Sequence, residues 1–342
     1  MKKLANPKLI LKVLIAIVII SIVIYTGCRK DEPPGKDGAY EIKIGGHTTQ
    51  LGVCIKIAED KGFYETQGLD DSVRLVKSSK ISMAAMEAGD FDVVIGSLSA
   101  GSFNMIYKGD LVILADGSRV IPSIIIRKDL WEAGKIKELT DLKSRAIRTP
   151  REGSSSYYAL SRILRGINLT IDDVQPKYLK ENEALAALEA KQIDAAILNE
   201  PHATSAVERD LGVRYNLTKI EKFFPINGQQ HMVIYARRKN MEEKPELLQR
   251  FLKAYVDAAV FYNEARDGQQ PQRNEVVDTI SKYTGEDKTI IEKTVWPYVA
   301  PDGRPNESYI KEMHDYFVQK GLVDSPVNLS RVIHLEFLPR SD

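Results

Sequence analysis

One fifteen-residue phrase occurs twice in this chain. Met83 to Ser97 read MAAMEAGDFDVVIGS, and Leu185 to Asn199 read LAALEAKQIDAAILN. The offset is 102 positions, and six residues are identical, Asp92/Asp194 and Ile95/Ile197 among them. Each copy reads as a short amphipathic helix, a tight turn, an Asp and an apolar run of strand length. Each run ends in small or polar residues: Gly96-Ser97-Leu98-Ser99 in one, Asn199-Glu200-Pro201-His202 in the other. Open α/β sheets bind ligands beyond the carboxyl ends of their strands. Two such ends predict two lobes facing one cleft.

A length of 342 residues predicts about two domains. An apolar share of 43% and a charged share of 28% are those of a globular protein with ample core. Net charge is +1, and the first 27 residues carry Lys2, Lys3, Lys8 and Lys12 with no acid. Beyond them 44 basic residues face 47 acidic ones. That balance excludes the basic stripe a nucleic-acid binder needs.

Residues 1–27 read as a signal peptide: lysines, then an apolar run from Val13 to Ile20 continued past Ser21 to Ile24. The segment closes Tyr25-Thr26-Gly27-Cys28, which resembles a bacterial lipobox with Cys28 as the lipidated residue, although Tyr25 departs from the usual aliphatic residue. The alternative is an uncleaved anchor from Leu9 to Tyr25 with Lys12 snorkelling. Either way the remainder lies outside the cytoplasmic membrane. Residues 28–38, with Pro33-Pro34 and Gly35, read as a flexible tether. Cys54 sits at helical spacing among Leu51, Ile55 and Ala58, which predicts a packing role.

Strands at Tyr40–Ile44, Val73–Val76, Asp92–Ile95 and Leu111–Ala115 alternate with helical segments, hence a mostly parallel sheet. Pro122-Ser123 leads into Ile124–Ile126, a strand crossing into a second lobe built around the second copy of the repeat. Met232–Ala236 returns, and the chain from Lys239 is largely helical, with a 3.6-residue apolar stripe over Leu247–Ala265. The expected domains are a first lobe of 39–121 plus 236–342 and a second of 122–235.

Several stretches in this order resemble the substrate-binding proteins of ABC importers. They are AEDKGFYETQGL (Ala58–Leu69), both repeats, ELTDLKSRAI before GSSSYYAL, and the late Pro301-Asp302-Gly303 turn with Gly321-Leu322. The resemblance is to the sulfonate, taurine, nitrate and thiamine-precursor branch, the NMT1-like group, over about Tyr40 to the end. It implies a type II periplasmic binding fold: two doubly wound α/β sheets joined by two crossover strands, closing on a small ligand about a hinge. It also implies a membrane permease and an ATPase as partners; the amino terminus separately predicts a lipid anchor through Cys28 and an extracytoplasmic location, and a monomer is expected. No P-loop occurs, so the chain is not the motor. A thiamine-pyrimidine enzyme of the same group carries a Cys-rich motif, whereas this chain has one cysteine beyond Cys28. Neither a catalytic constellation nor metal-ligand spacing is present, and no cofactor is expected. A ligand-sensing module of a signalling system and an enzyme on this fold are the alternatives.

Gly153-Ser154-Ser155-Ser156-Tyr157 opens a helix, and its unpaired N–H groups with three hydroxyls suit an anion. The resembled family uses a Gly-Ser run at this place to contact ligand. The competing role is an N-cap. His47, Thr48 and Gln50 follow the first strand, and Ser97 and Ser99 end the first repeat, both where the first lobe faces the cleft. Asn199 and Glu200 end the second repeat. A carboxylate there suggests a ligand with an N–H group; its structural alternative is a helix start ahead of Pro201.

Overall fold

The computed structural model describes residues 38–109 and 111–340. Cys28, the signal segment and all of the tether except Gly38 lie outside the described residues.

Among the described residues ten strands form two five-stranded sheets. The first contains β1 (Tyr40–His47), β2 (Leu69–Val76), β3 (Val93–Ser97), β4 (Leu111–Val120) and β10 (Gln229–Arg237), in the order β2-β1-β3-β10-β4. The second contains β5 (Ser123–Arg127), β6 (Ala146–Thr149), β7 (Gln175–Tyr178), β8 (Ala195–Leu198) and β9 (Gly212–Arg214), in the order β7-β6-β8-β5-β9. This is the two-lobed α/β architecture expected above. Each sheet is parallel except for one strand. β10 is antiparallel to β3 and β4, and β5 is antiparallel to β8 and β9. Both odd strands are the ones that arrive from the other lobe. A chain that enters a sheet from its carboxyl edge must run back against its neighbours.

One boundary differs from the sequence expectation. β10 starts at Gln229 and lies wholly in the first sheet, so residues 229–235 belong with the first lobe rather than the second. Gln229-Gln230-His231 hides the strand in the sequence, because three polar residues do not look like a buried ladder. All three are buried here, and Gln230 is held by the Asp116 carboxylate and, at 2.8 Å, by the Met232 carbonyl. Gln229 accepts a hydrogen bond from the Tyr309 hydroxyl at 3.1 Å.

β1 also runs past its expected end at Ile44 through Gly45 and Gly46 to His47. A β-carbon on Gly45 would lie 2.7 Å from Val94 Cγ1 and one on Gly46 2.8 Å from Leu75 Cδ2. The missing side chains let β1 pass between β2 and β3, which carries His47 to the cleft edge.

Helices cover the sheets. Val53–Asp60 and the long Pro245–Arg266 helix pack on one face of the first sheet, burying Cys54, Phe251 and Tyr255. Ala100–Tyr107 and Glu307–Gln319 pack on the other face. There a single apolar cluster crosses between the lobes, joining Phe103 and Phe317 to Tyr158 and Ile163 of the Ser155–Gly166 helix. Tyr158 has ring contacts with Tyr309, Tyr316 and Phe317, at centroid distances of 5.6, 5.1 and 6.0 Å. Among the described residues no helix is long and apolar enough to cross a membrane.

Candidate functional site

The carboxyl ends of β1 and β3 face those of β6 and β8 across the gap between the sheets. Each repeat contributes one of these strands, β3 and β8. In both, the Asp ahead of the strand is structural. Asp92 accepts from the Lys43 amide at 3.0 Å, and Asp194 accepts from the Ala146 amide at 3.0 Å. A shared anchor to the neighbouring strand therefore explains the identity of Asp92 and Asp194, while the strand ends are free to differ.

The lobes touch at the helix starts. The Ala100 amide donates to the Gly153 carbonyl at 2.8 Å, and Ser99 and Ser154 form an isolated antiparallel bridge. Gly153 has φ +83°, and a β-carbon there would come within 3.1 Å of Ala100 Cβ, so glycine suits both the left-handed backbone and the close approach. Ser155 Oγ and His231 Nδ1 are 3.2 Å apart, a buried hydrogen bond between the lobes.

Behind this contact lies a compact polar cavity of about 250 Å³. The first lobe lines it with His47, Thr49, Leu51, Ser97, Ser99 and His231; the second with Arg148, Ser154, Ser155, Ser156, Glu181 and Asn199. Two of the serines are also caps. Ser154 Oγ accepts from the Tyr157 amide at 3.1 Å, and Ser99 forms a reciprocal capping box with Ser102. Ser156 Oγ accepts from Asn199 Nδ2 at 3.3 Å, and the same Nδ2 donates to Glu181 Oε1 at 3.0 Å. The side-chain Oδ1 of Asn199 is buried with no protein partner. Ser97 is fixed through its amide, which donates to Ser79 Oγ at 3.0 Å.

Arg148 and Glu181 are the two charged groups of the cavity. Arg148 is 2% exposed, donates from Nε to the Leu179 carbonyl at 2.9 Å and from Nη1 to the Ile197 carbonyl at 2.7 Å, and stands 3.8 Å from Glu181 Oε1. Burial lowers its pKa from the ordinary value, yet a guanidinium stays protonated in proteins. The two histidines behave differently. Burial pulls His47 down to about 4; burial, then the neighbouring His47, pull His231 down to about 4. Both are neutral near pH 7 and act as dipolar hydrogen-bonding groups. Glu181 partly offsets the Arg148 charge, so the hydroxyls, the neutral imidazoles and the first N–H groups of a twelve-residue helix, with Arg148, are what suit a small anion or an anionic head group.

Seven residues singled out from the sequence meet in this cavity: His47, Ser97, Ser99, Ser154, Ser155, Ser156 and Asn199. Four do not. Thr48 is outside it, and the next residue, Thr49, lines it, with Oγ1 at 3.0 Å from His47 Nδ1. Gln50 turns into a larger neighbouring cavity. Tyr157 is core, its hydroxyl donating to Glu152 Oε1 at 2.7 Å. Glu200 also borders the larger cavity, and its carboxylate is already engaged: Arg214 Nη1 at 2.6 Å, the Thr204 amide at 3.0 Å and the Val295 amide at 3.3 Å. The expectation that Glu200 selects a ligand amine is therefore corrected, since its charge is neutralised by Arg214. The acid in the compact cavity is Glu181.

Arg148, Glu181 and His231 escaped the sequence reading. Arg148 does leave a signal: a lone cation inside the buried strand phrase Ala146–Thr149, five residues ahead of Gly153. His231 leaves none, because the apolar run of its strand begins only at Met232.

With this geometry in view, the chain can be set beside known proteins. A candidate binding protein of Brucella abortus (strain 2308) is 27% identical over 298 residues, 84% of this chain and 88% of its own length. The periplasmic aliphatic sulphonate binding protein SsuA from Escherichia coli superposes with a TM-score of 0.71 at 20% identity, over 86% of this chain and 92% of its own. The periplasmic nitrate-binding protein NrtA from Synechocystis PCC 6803 gives 0.68 at 13% identity, over 87% of each chain. Both likenesses bear on the fold, which is that of periplasmic binding proteins. The model of the NMT1-like family matches residues 40–281, more than two thirds of the sequence, and the chain belongs to that family.

Proposed function

We propose that this protein is the extracytoplasmic solute-binding component of an ABC importer and captures a small organic anion in the compact cavity between its lobes. The single observation that carries this is the split ownership of the cavity. His47, Ser97 and His231 come from one lobe and Arg148, Ser156 and Asn199 from the other. A ligand held by both halves favours the closed arrangement by its differential affinity, and a permease can read that state. The sulfonate and nitrate binders that share the fold agree with an anionic ligand. The two crossings, Val120–Ser123 and Gly228–Gln229, are the natural hinge.

On this reading the protein binds its solute and releases it unchanged, works as a monomer, and is held at the membrane by lipid on Cys28. Mass spectrometry of ligand released from purified protein, followed by calorimetry with sulfonates, amino-sulfonates and pyrimidines, tests the binding role. A solute bound with micromolar or better affinity and recovered intact is the expected result; chemical conversion of the solute would replace this reading with an enzymatic one. Loss of membrane retention in a Cys28→Ala variant tests the anchor.

A further inference from the structure

The larger cavity beside the compact one has about 590 Å³ and is lined largely by other residues. Leu51 and Asn199 line both, so the two spaces meet at these residues. The walls of the larger one are apolar and aromatic: Ile121, Leu198, Phe224, Trp296 and Tyr298, with Ile226 86% exposed among the lining residues. Three cations also line it. The Arg119 and Arg266 guanidinium groups lie 5.3 and 5.7 Å from the centroid of the Tyr298 ring, and Lys222 is the third. Glu200 and Glu221 are the lining acids, and Glu200 is paired with Arg214. Arg119 and Arg266 pair in turn with Asp116 and Asp267, at 3.7 and 3.4 Å, so the charges of the lining are close to balanced.

Gln50 supplies an independent sign. Its residue is 3% exposed, its Oε1 takes a hydrogen bond from Thr294 Oγ1 at 3.4 Å, and its Nε2 has no partner. A buried amide donor without an acceptor is costly, and native proteins rarely leave one. Arg119 Nε, also without a hydrogen bond, faces the Asp116 carboxylate at 3.7 Å, so the unmet donor is that of Gln50. Gln50 lines a cavity with room for a ligand atom that accepts.

From these observations we infer that the larger cavity is a second subsite of the same cleft, taking the ring-bearing, hydrogen-bond-accepting body of an organic anion whose charged head occupies the compact cavity. The inference rests on the head-group role proposed above. Volume supports it: about 250 Å³ falls below the ~300–1,000 Å³ of ordinary small-molecule sites, and the two spaces together fall within that range. Aromatic walls with flanking guanidinium groups favour a flat, electron-rich body over a bare alkyl chain.

The test compares paired probes on the detergent-solubilised full-length protein by calorimetry. Taurine presents the head alone; N-benzoyltaurine adds a carbonyl acceptor and a ring. Matching carboxylate and phosphonate pairs cover the other heads. The ring-bearing member should bind at least tenfold more tightly than its head-only partner. Thr218→Trp, at an exposed position in the lining, should bring the ring-bearing probe down to head-only affinity and leave the head-only probe within twofold, with an unchanged melting temperature. Gln50→Met should weaken only the ring-bearing probe, by severalfold. Head-only binding with no gain from the ring would overturn the second subsite and leave the compact head site standing. Absence of binding by every pair would remove both.

Discussion

Arg148 joins the binding chemistry to the stability of the second lobe. Its hydrogen bonds to the Leu179 and Ile197 carbonyls fix the guanidinium beneath the cavity, so removing it acts in two ways. Arg148→Gln should lower affinity for the anionic solute at least tenfold, ~1.4 kcal/mol. It should also cost about 1–3 kcal/mol of stability through unsatisfied carbonyls, read as a lower melting temperature. Arg148→Lys keeps the charge but not the fork, and should recover affinity only in part. His231 makes a pH prediction. Its folded pKa of about 4 lies below the ordinary 6.5, so the unfolded chain binds the proton first. Its contribution is complete above pH 6.5 and is lost as pH falls toward 4, by about 3 kcal/mol in all. Asp116 works in the opposite sense, because burial raises it to about 6 and its neutral form is favoured at low pH. The informative measurement is therefore the difference in unfolding free energy between the wild type and His231→Gln. That difference should shrink from pH 7 to pH 4.5; a constant difference would show that His231 is not held neutral. The solute should act in the reverse direction, since an anion beside His47 and His231 favours their protonation and binding should tighten as pH falls.

At the scale of elements, the site is made where helix starts from two lobes meet. Ser154 and Ser99 cap their helices, and both line the cavity. Ser154→Ala should cost ~1 kcal/mol of stability by loss of the cap, measured by denaturant titration. Ser155→Ala removes no cap. It breaks the contact with His231, so it should weaken solute binding more than it lowers the melting temperature. Much of this was legible in advance. The Gly-Ser run reads as a helix start because its residue types satisfy orphan N–H groups, a local matter. The larger register of β10 was not legible, since Gln229, Gln230 and His231 become strand residues only by pairing with β4 and by burial against Asp116 and Tyr309.

For the molecule as a whole, two kinds of contact join the lobes. One is the small polar meeting of Ser99, Gly153 and Ser155 with its neighbours. The other is aromatic: Tyr158 against Tyr309, Tyr316 and Phe317, with the Tyr316 hydroxyl donating to Ser161 Oγ at 3.0 Å and Arg162 pairing with Glu312. The helix Glu307–Gln319 thus belongs to the first lobe and clasps the second. Solute held by both lobes should shift the population toward a closed arrangement, giving a smaller radius of gyration in small-angle X-ray scattering. Gly153→Val, which crowds Ala100 and occupies a left-handed backbone position, should blunt that contraction and lower affinity. Equal radii with and without a tightly bound solute would count against hinge closure.

The amino-acid sequence by itself determined the periodicity of each unit, the repeat, the helix start at Ser154 and the existence of two lobes. These follow from local spacing of apolar residues, turn chemistry and capping, which act within a dozen residues. It also carried the family resemblance, because the order of short α/β phrases survives as a pattern. Only the tertiary structure decided which polar side chains are spent. Glu200 is consumed by Arg214 and Tyr157 by the core, while Arg148 and His231 arrive at the cavity from strands that the chain pairs at long range. Side-chain charge is read directly from a sequence, but whether a partner neutralises it depends on contacts between distant segments. The two copies of the repeat are the clearest case: alike through Asp92 and Asp194, each of which accepts from an amide of the neighbouring strand, and unlike at Ser97 and Asn199, where each lobe meets the other.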